Sequence, residues 1–148
     1  MVKPARVFKM PYQISATAFF QGEEERQSLA IGLKDGAIVI MDMALGLEQH
    51  YVEKHPSAIT TLAFYEDKVL MSGSVDGRVN LCDLDSQEEP KRIFKAQNCM
   101  DRKVPVAQVV TSDFGVGAAL DIEGNCRFYD LIRLRKICKI SAAPHSTG

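Results

Sequence analysis

The sequence predicts an all-β fold of about three stacked, four-stranded antiparallel units, and two observations carry that expectation. First, a turn glycine preceded by an acidic residue recurs at Gly36, Gly77 and Gly124, at intervals of 41 and 47 residues. Each copy closes six residues later on an aspartate, at Asp42, Asp83 and Asp130. A period of about 40 to 45 residues with a turn glycine and a strand ending in aspartate marks stacked four-stranded β units. Second, the residues leading to each aspartate place apolar side chains at alternate positions: Ile38 and Ile40, Val79 and Leu81, Cys126 and Phe128. Strand side chains alternate between faces, so each pair shares one face.

The elements follow in order. Residues 5–10, with Arg6-Val7-Phe8-Lys9, read as the closing strand of a further unit that is otherwise absent. The first unit spans about 11–54, with strands over 14–20, 28–32, 37–41 and 47–52. The second spans about 55–96, with strands over 59–65, 69–74, 78–82 and 92–95. The third spans about 104–141, with strands over 106–111, 116–120, 125–129 and 135–139. In each unit an acidic residue and a glycine join the second and third strands, because glycine reaches positive φ at little steric cost. Leucines in 130–140 stand at a possible helical spacing, so a helix there is the less favoured alternative. Residues 142–148 form a short polar tail, and 1–148 reads as a single domain.

Two connections stand out. Residues 21–27 carry three consecutive glutamates, which read as a solvated turn. Residues 96–105 account for the longer second interval and contain Cys99, Met100, Asp101, Arg102 and Lys103. That mixture of a thiol, an apolar residue and charges of both signs makes the segment the candidate partner-binding loop.

Bulk composition narrows the function. The chain is 46% hydrophobic and 25% charged, with a net charge of −1, so nothing draws it to nucleic acid or anionic lipid. The longest apolar run, 37–41, is too short to cross a bilayer, and the N-terminus lacks a signal-peptide core. Cys82, Cys99, Cys126 and Cys138 show no metal-type spacing, so reduced thiols in the cytoplasm, or in the nucleus or cilium, fit best. No metal or cofactor is expected.

The second unit resembles a WD-repeat. His55 stands before the first strand, Ser72-Gly73-Ser74 closes the second, and Asp76-Gly77 leads into a third strand that ends at Asp83. The resemblance implies that the chain is a partial β-propeller with degenerate blades. It also implies a structural network among His55, Ser72 or Ser74, and Asp76. No tryptophan is present; Met41, Cys82 and Tyr129 take its usual place before the closing aspartates. Three blades fall short of a ring, since propellers have about four to eight. The chain is therefore expected to be a piece or short form of a longer propeller, with an exposed apolar face at either end.

Other motifs take plainer readings. His55 stands apart from His50 and His145, which favours a structural histidine over a catalytic or metal-binding one. Gly115-Val116-Gly117 lacks the third glycine and following helix of a dinucleotide site. Asp35, Asp76 and Asp121 read as turn and strand-end aspartates, and Arg127, Arg133, Arg135, Lys136 and Lys139 as a solvated strand face. Cys82 and Cys126 read as small buried hydrophobes, and Cys99, beside Arg102 and Lys103, is the one candidate reactive thiol. The expected function is a non-enzymatic protein–protein interaction scaffold acting in a multi-subunit complex, with other proteins as partners and no small-molecule substrate. A truncated, partly unfolded product without independent function is the alternative. An enzyme is a third reading, since no nucleophile, base and orienting group assemble from the sequence.

Overall fold

A computed structural model of the chain describes residues 9–22, 27–42, 48–52, 54–84, 93–94, 96–98 and 103–140. These residues form strands and turns and contain no helix. In chain order the strands are β1 (Ile14–Gln21), β2 (Gln27–Leu33), β3 (Ile38–Asp42), β4 (Glu48–Val52), β5 (Ile59–Tyr65), β6 (Val69–Ser74), β7 (Val79–Asp83), β8 (Ile93–Phe94), β9 (Ala96–Asn98), β10 (Val106–Thr111), β11 (Val116–Asp121), β12 (Cys126–Asp130) and β13 (Arg135–Ile140). They pair into three sheets ordered β1-β2-β3-β4-β8, β5-β6-β7-β9 and β10-β11-β12-β13. All neighbours are antiparallel except β4 and β8, which run parallel.

The recurring glycine is a recurring hydrogen-bonded turn. Gly36, Gly77 and Gly124 have φ of 95°, 92° and 87°. Their amides donate to Leu33 O, Ser74 O and Asp121 O, three residues back. The flanking pairs then close from Leu33 N to Ala37 O, Ser74 N to Arg78 O, and Asp121 N to Asn125 O. A three-residue loop ending on a left-handed residue is a common hairpin form, and glycine enters that region without strain. A second bond also repeats: Lys34 N, Val75 N and Ile122 N donate to Gln13 O, Ala58 O and Pro105 O. It ties each turn to the entry of its sheet's first strand.

The sheets stack face to face in chain order. Ala30, Ile38 and Ile40 of the first sheet meet Ile59, Leu62, Leu70 and Cys82 of the second. Met71, Val79 and Leu81, on the second sheet's opposite face, meet Val106, Val109, Ala119 and Tyr129 of the third. Leu70, Met71, Val79 and Leu81 are fully buried. Burial of each such side chain contributes roughly 1.5–3 kcal/mol. The first strands lie against one another in series, β1 on β5 and β5 on β10. Threonines stitch the second pair: Thr60 Oγ1 donates to Val106 O at 2.6 Å, Thr111 Oγ1 to Phe64 O at 2.6 Å, and Val109 N to Thr61 Oγ1 at 3.1 Å.

Three expectations change. The fourth strand of the second unit was expected over 92–95, but Ala96–Asn98 is the segment paired with β7. Ile93–Phe94 instead joins the outer edge of the first sheet, beside Tyr51 and Val52. An edge-strand composition says nothing about which edge it joins. Residues 96–105 are therefore not all loop, since they begin with β9. Residues 130–140 form a turn and β13, in keeping with the strand expected over 135–139, and the less favoured helix does not form. Two exposed end faces were expected, yet Ile31, Leu33, Val39 and Met41 bury the centre of the first sheet's outer face. The margins of that face are exposed, at Ile14 and Phe19 on β1 and at Tyr51 on β4. The expected strand over 5–10 lies mostly outside the described residues. Of its residues Lys9 and Met10 are described, neither in a strand, and Met10 packs on the first sheet's outer cluster. The tail 142–148 lies wholly outside them.

Candidate functional site

His55 sits between the first two sheets. Its amide donates to Gly36 O at 2.9 Å, which ties the start of the second unit to the turn of the first. Its side chain is buried, and Nε2 shares a 2.8 Å hydrogen bond with Ser72 Oγ on β6. Ser74, two residues along the same strand and on the same face, donates to the Asp76 carboxylate. Asp76 Oδ1 also accepts from Arg78 N, and Oδ2 from Arg78 Nε, both at 3.2 Å. The Asp76 amide donates to Ser57 Oγ. His55 and Ser72 thus form one pair, and Ser74, Asp76 and Arg78 a neighbouring cluster. Gly77 shapes the turn that carries them, and Asp83 ends β7 at the opposite end of that strand.

Burial and hydrogen bonding set the charge states of this cluster. Burial drives the His55 pKa down to about 4; the Asp76 charge opposes that shift and Arg78 adds to it. The ring is therefore neutral near pH 7. Burial pushes the Asp76 carboxyl up, but hydrogen bonds from Ser74 and the Arg78 amide outweigh it and hold the group below its ordinary value. The His55 shift sets a pH dependence. In the unfolded chain histidine protonates near 6.5, whereas the fold favours the neutral ring down to about 4. Its stabilising contribution is complete above the unfolded value and is lost as pH falls between those two limits. Stability is expected to drop by about 2 kcal/mol from pH 7 to 5. The lowered aspartates Asp35, Asp76 and Asp121 lose their contributions only on further acidification, below their ordinary value of 3.8. Urea titrations at the two pH values check this, and His55→Gln should flatten the dependence. Identical profiles for parent and variant would exclude His55 as its source.

The third unit solves the same turn differently. Asp121 occupies the place of Ser74 and accepts from Glu123 N at 2.9 Å and Asn125 N at 3.0 Å. Asn125 Nδ2 reaches Asp121 Oδ2 at 3.0 Å, and Arg127 Nη2 reaches it at 3.4 Å. Both side chains of the Asp121–Arg127 ion pair are 1% exposed. Arg127 was expected on a solvated face; it is instead buried against the second sheet, on the side of β12 that carries Tyr129. The signal was present in the sequence. Arg127 alternates with Cys126 and Phe128, so it had to lie on the face opposite theirs. Arg133, Arg135 and Lys136 are exposed as expected, and Arg133 pairs with Asp130 at 2.9 Å.

The edge where the strands end in Asp42, Asp83 and Asp130 carries clefts between adjacent sheets. The larger, about 370 Å³, lies between the second and third sheets and is lined by Tyr65, Lys68, Val69, Asp83, Leu131 and Leu134, with Ile132 at its rim. The smaller, about 140 Å³, lies between the first and second and is lined by Ile40, Asp42, His50, Phe64 and Asp67 among others. Ile132, at the rim of the larger cleft, is 70% exposed, and Phe114, on the neighbouring turn, is 89% exposed. These two apolar turn residues were not singled out from the sequence, where a lone Phe or Ile in a turn gives no sign of its exposure. Of the expected partner loop, Cys99, Met100, Asp101 and Arg102 lie outside the described residues, and Lys103 is exposed. Cys82 is buried and Cys126 half-buried, and neither is in a disulfide. Among the described residues no cluster of metal-ligating side chains forms, and no helix is long and apolar enough to cross a membrane.

No protein-family model and no curated protein matches the chain. Solved structures do. The chain is similar to the computationally designed Ika4 protein at 19% identity and a TM-score of 0.70, over 97% of this chain and 82% of that one. It is similar to the computationally designed Ika8 protein at 19% identity and a TM-score of 0.67, over 88% of this chain and 37% of that one. At this identity the likeness concerns the fold alone.

Proposed function

We propose that the chain is a partial WD-repeat β-propeller acting as a non-enzymatic scaffold, which binds other proteins through the turns at one edge of its stacked sheets. The observation that carries this reading is the pairing of a repeated, face-stacked framework with apolar side chains displayed at its rim. Phe114 and Ile132 stand largely in water on neighbouring turns, Ile132 at the rim of an open cleft. Exposed apolar side chains grouped at a loop edge suit protein contact. The serial contact of β1, β5 and β10 fits blades whose first strands line a common axis. The His55–Ser72 and Ser74–Asp76 bonds fit the structural network that the resemblance implies.

The test is affinity capture with the parent chain and a Phe114→Ser/Ile132→Ser variant, read by quantitative mass spectrometry alongside thermal melts. The expected result is an unchanged melt with specific loss of captured proteins. An unchanged captured set would remove the turn edge as the binding surface. Replacing 98–103 by a Gly-Ser link, in parallel, separates a contribution from the loop bearing Cys99 and Lys103.

A further inference from the structure

The outer edge of the second sheet holds the weaker of two adjacent segments. β4 makes five residue pairs with β3, and β13 five with β12, whereas β9 makes three with β7. Its sequence is Ala-Gln-Asn, and alanine and asparagine are depleted in strands. One residue earlier stands Ile93–Phe94, β-branched and aromatic, the better strand former. That pair makes two parallel pairings with Tyr51 and Val52 at the edge of β4. Parallel pairing is slightly less stable per residue than antiparallel. Local preference and tertiary pairing thus disagree over which segment β7 should hold.

The repeat specifies a second register for the same edge. In the third sheet the closing aspartate, Asp130, stands opposite Arg135, the first residue of the basic fourth strand. Asp83 and Arg92 correspond to them by sequence. Opposing those two sets Ile93 opposite Cys82 and Phe94 opposite Leu81, where the structure has Ala96 and Gln97. The registers differ by three residues, about 10 Å of travel along β7. Directly opposed residues share a face. Phe94 would therefore lie beside Leu81 on the side toward the third sheet, and Ile93 beside Cys82 on the side toward the first. Leu81 and Cys82 are both fully buried, so apolar neighbours suit them better than an alanine and a glutamine.

We propose that residues 92–98 form a strand-exchange strap with two registers on β7. In the closed register, the one described, Ala96–Asn98 covers β7 and Ile93–Phe94 covers the edge of β4. In the open register 92–96 pairs with β7 and β4 loses its outer neighbour. A single residue separates β8 from β9, so the segment cannot hold both edges once it has slipped. The two events are therefore coupled. The strap governs whether the first sheet's outer edge is free to take a strand from another chain. This inference stands on strand registers and does not depend on the scaffold reading.

Disulfide trapping against Cys82 is the test, in a Cys99→Ser background of the full chain, with links mapped by peptide mass. Directly opposed strand residues lie within disulfide reach. Ala96→Cys reports the closed register and Ile93→Cys the open one, whereas Gln97→Cys stands opposite Cys82 in neither. Mild oxidation of the folded chain is expected to link the first two and leave the third unlinked. The Ile93 link should also cost β4 the hydrogen-exchange protection of its outward amides, which the Ala96 link leaves in place. Should a variant fold poorly, exchange on the parent chain supplies the same reading, with the outward amides of β4 and those of β9 opening together. A link from Ala96→Cys alone, links from all three alike, no link from either, or a β4 indifferent to the Ile93 link would overturn the proposal.

Discussion

Gly36→Ala is expected to be among the most damaging single substitutions in the chain, costing about 3–5 kcal/mol of stability. Two independent costs meet there. Gly36 has a φ of 95°, where an L side chain is strained by roughly 1–2 kcal/mol. A Cβ at the same place would sit 2.1 Å from His55 O and 2.8 Å from Ser57 O, which are backbone atoms with little room to yield. Moving them breaks the His55 N to Gly36 O bond and shifts the histidine whose ring holds Ser72. Lys34→Ala, on the exposed side of the same turn, should stay within about 0.5 kcal/mol of the parent. Urea unfolding of the two variants decides it; equal midpoints would mean that the close approach of the turn to His55 is wrong.

Asp121→Ala should cost about as much, on the order of 3–5 kcal/mol, by leaving the buried Arg127 guanidinium without its carboxylate. It also strips the acceptor from the Glu123 and Asn125 amides. Arg127→Ala should cost less. A buried aspartate deprived of its cation can take up a proton, and Asp121 keeps its amide donors, whereas a guanidinium cannot lose its charge. In the double variant, Asp121→Ala with Arg127→Leu, the second change should restore part of the loss, since no buried charge remains. Fully additive effects, measured by the same unfolding titration, would show that the two residues do not act as a pair.

The same residues show what could be read without coordinates. β5, β6 and β10 fall at the positions expected from alternation, and the glycine turns recur with nearly equal φ, because both rest on local chemistry: side-chain period and the need for a left-handed residue. Even the burial of Arg127 was implicit in that period, though a charged residue argues for water until its partner is known. Asp121 lies six residues away in sequence, and only pairing in a shared sheet brings it within reach.

Other features were decided by contacts between sheets. The segment at Ile93–Phe94 and Ala96–Asn98 divides between two sheets because edge pairing depends on which unpaired edge lies nearby, and composition does not carry that distance. The glycines at 32 and 73 could be seen in the sequence, but their necessity lies in Ile59 and Val106 pressing on them from the next sheet. The apolar rim at Phe114 and Ile132 is likewise a matter of where turns end up once the sheets are stacked. The sequence by itself determined the repeat, the strands and the turns, which depend on neighbours a few residues apart. The tertiary structure alone decided which faces close, which charge is buried and which face stays open, because those outcomes depend on contacts between residues from different sheets.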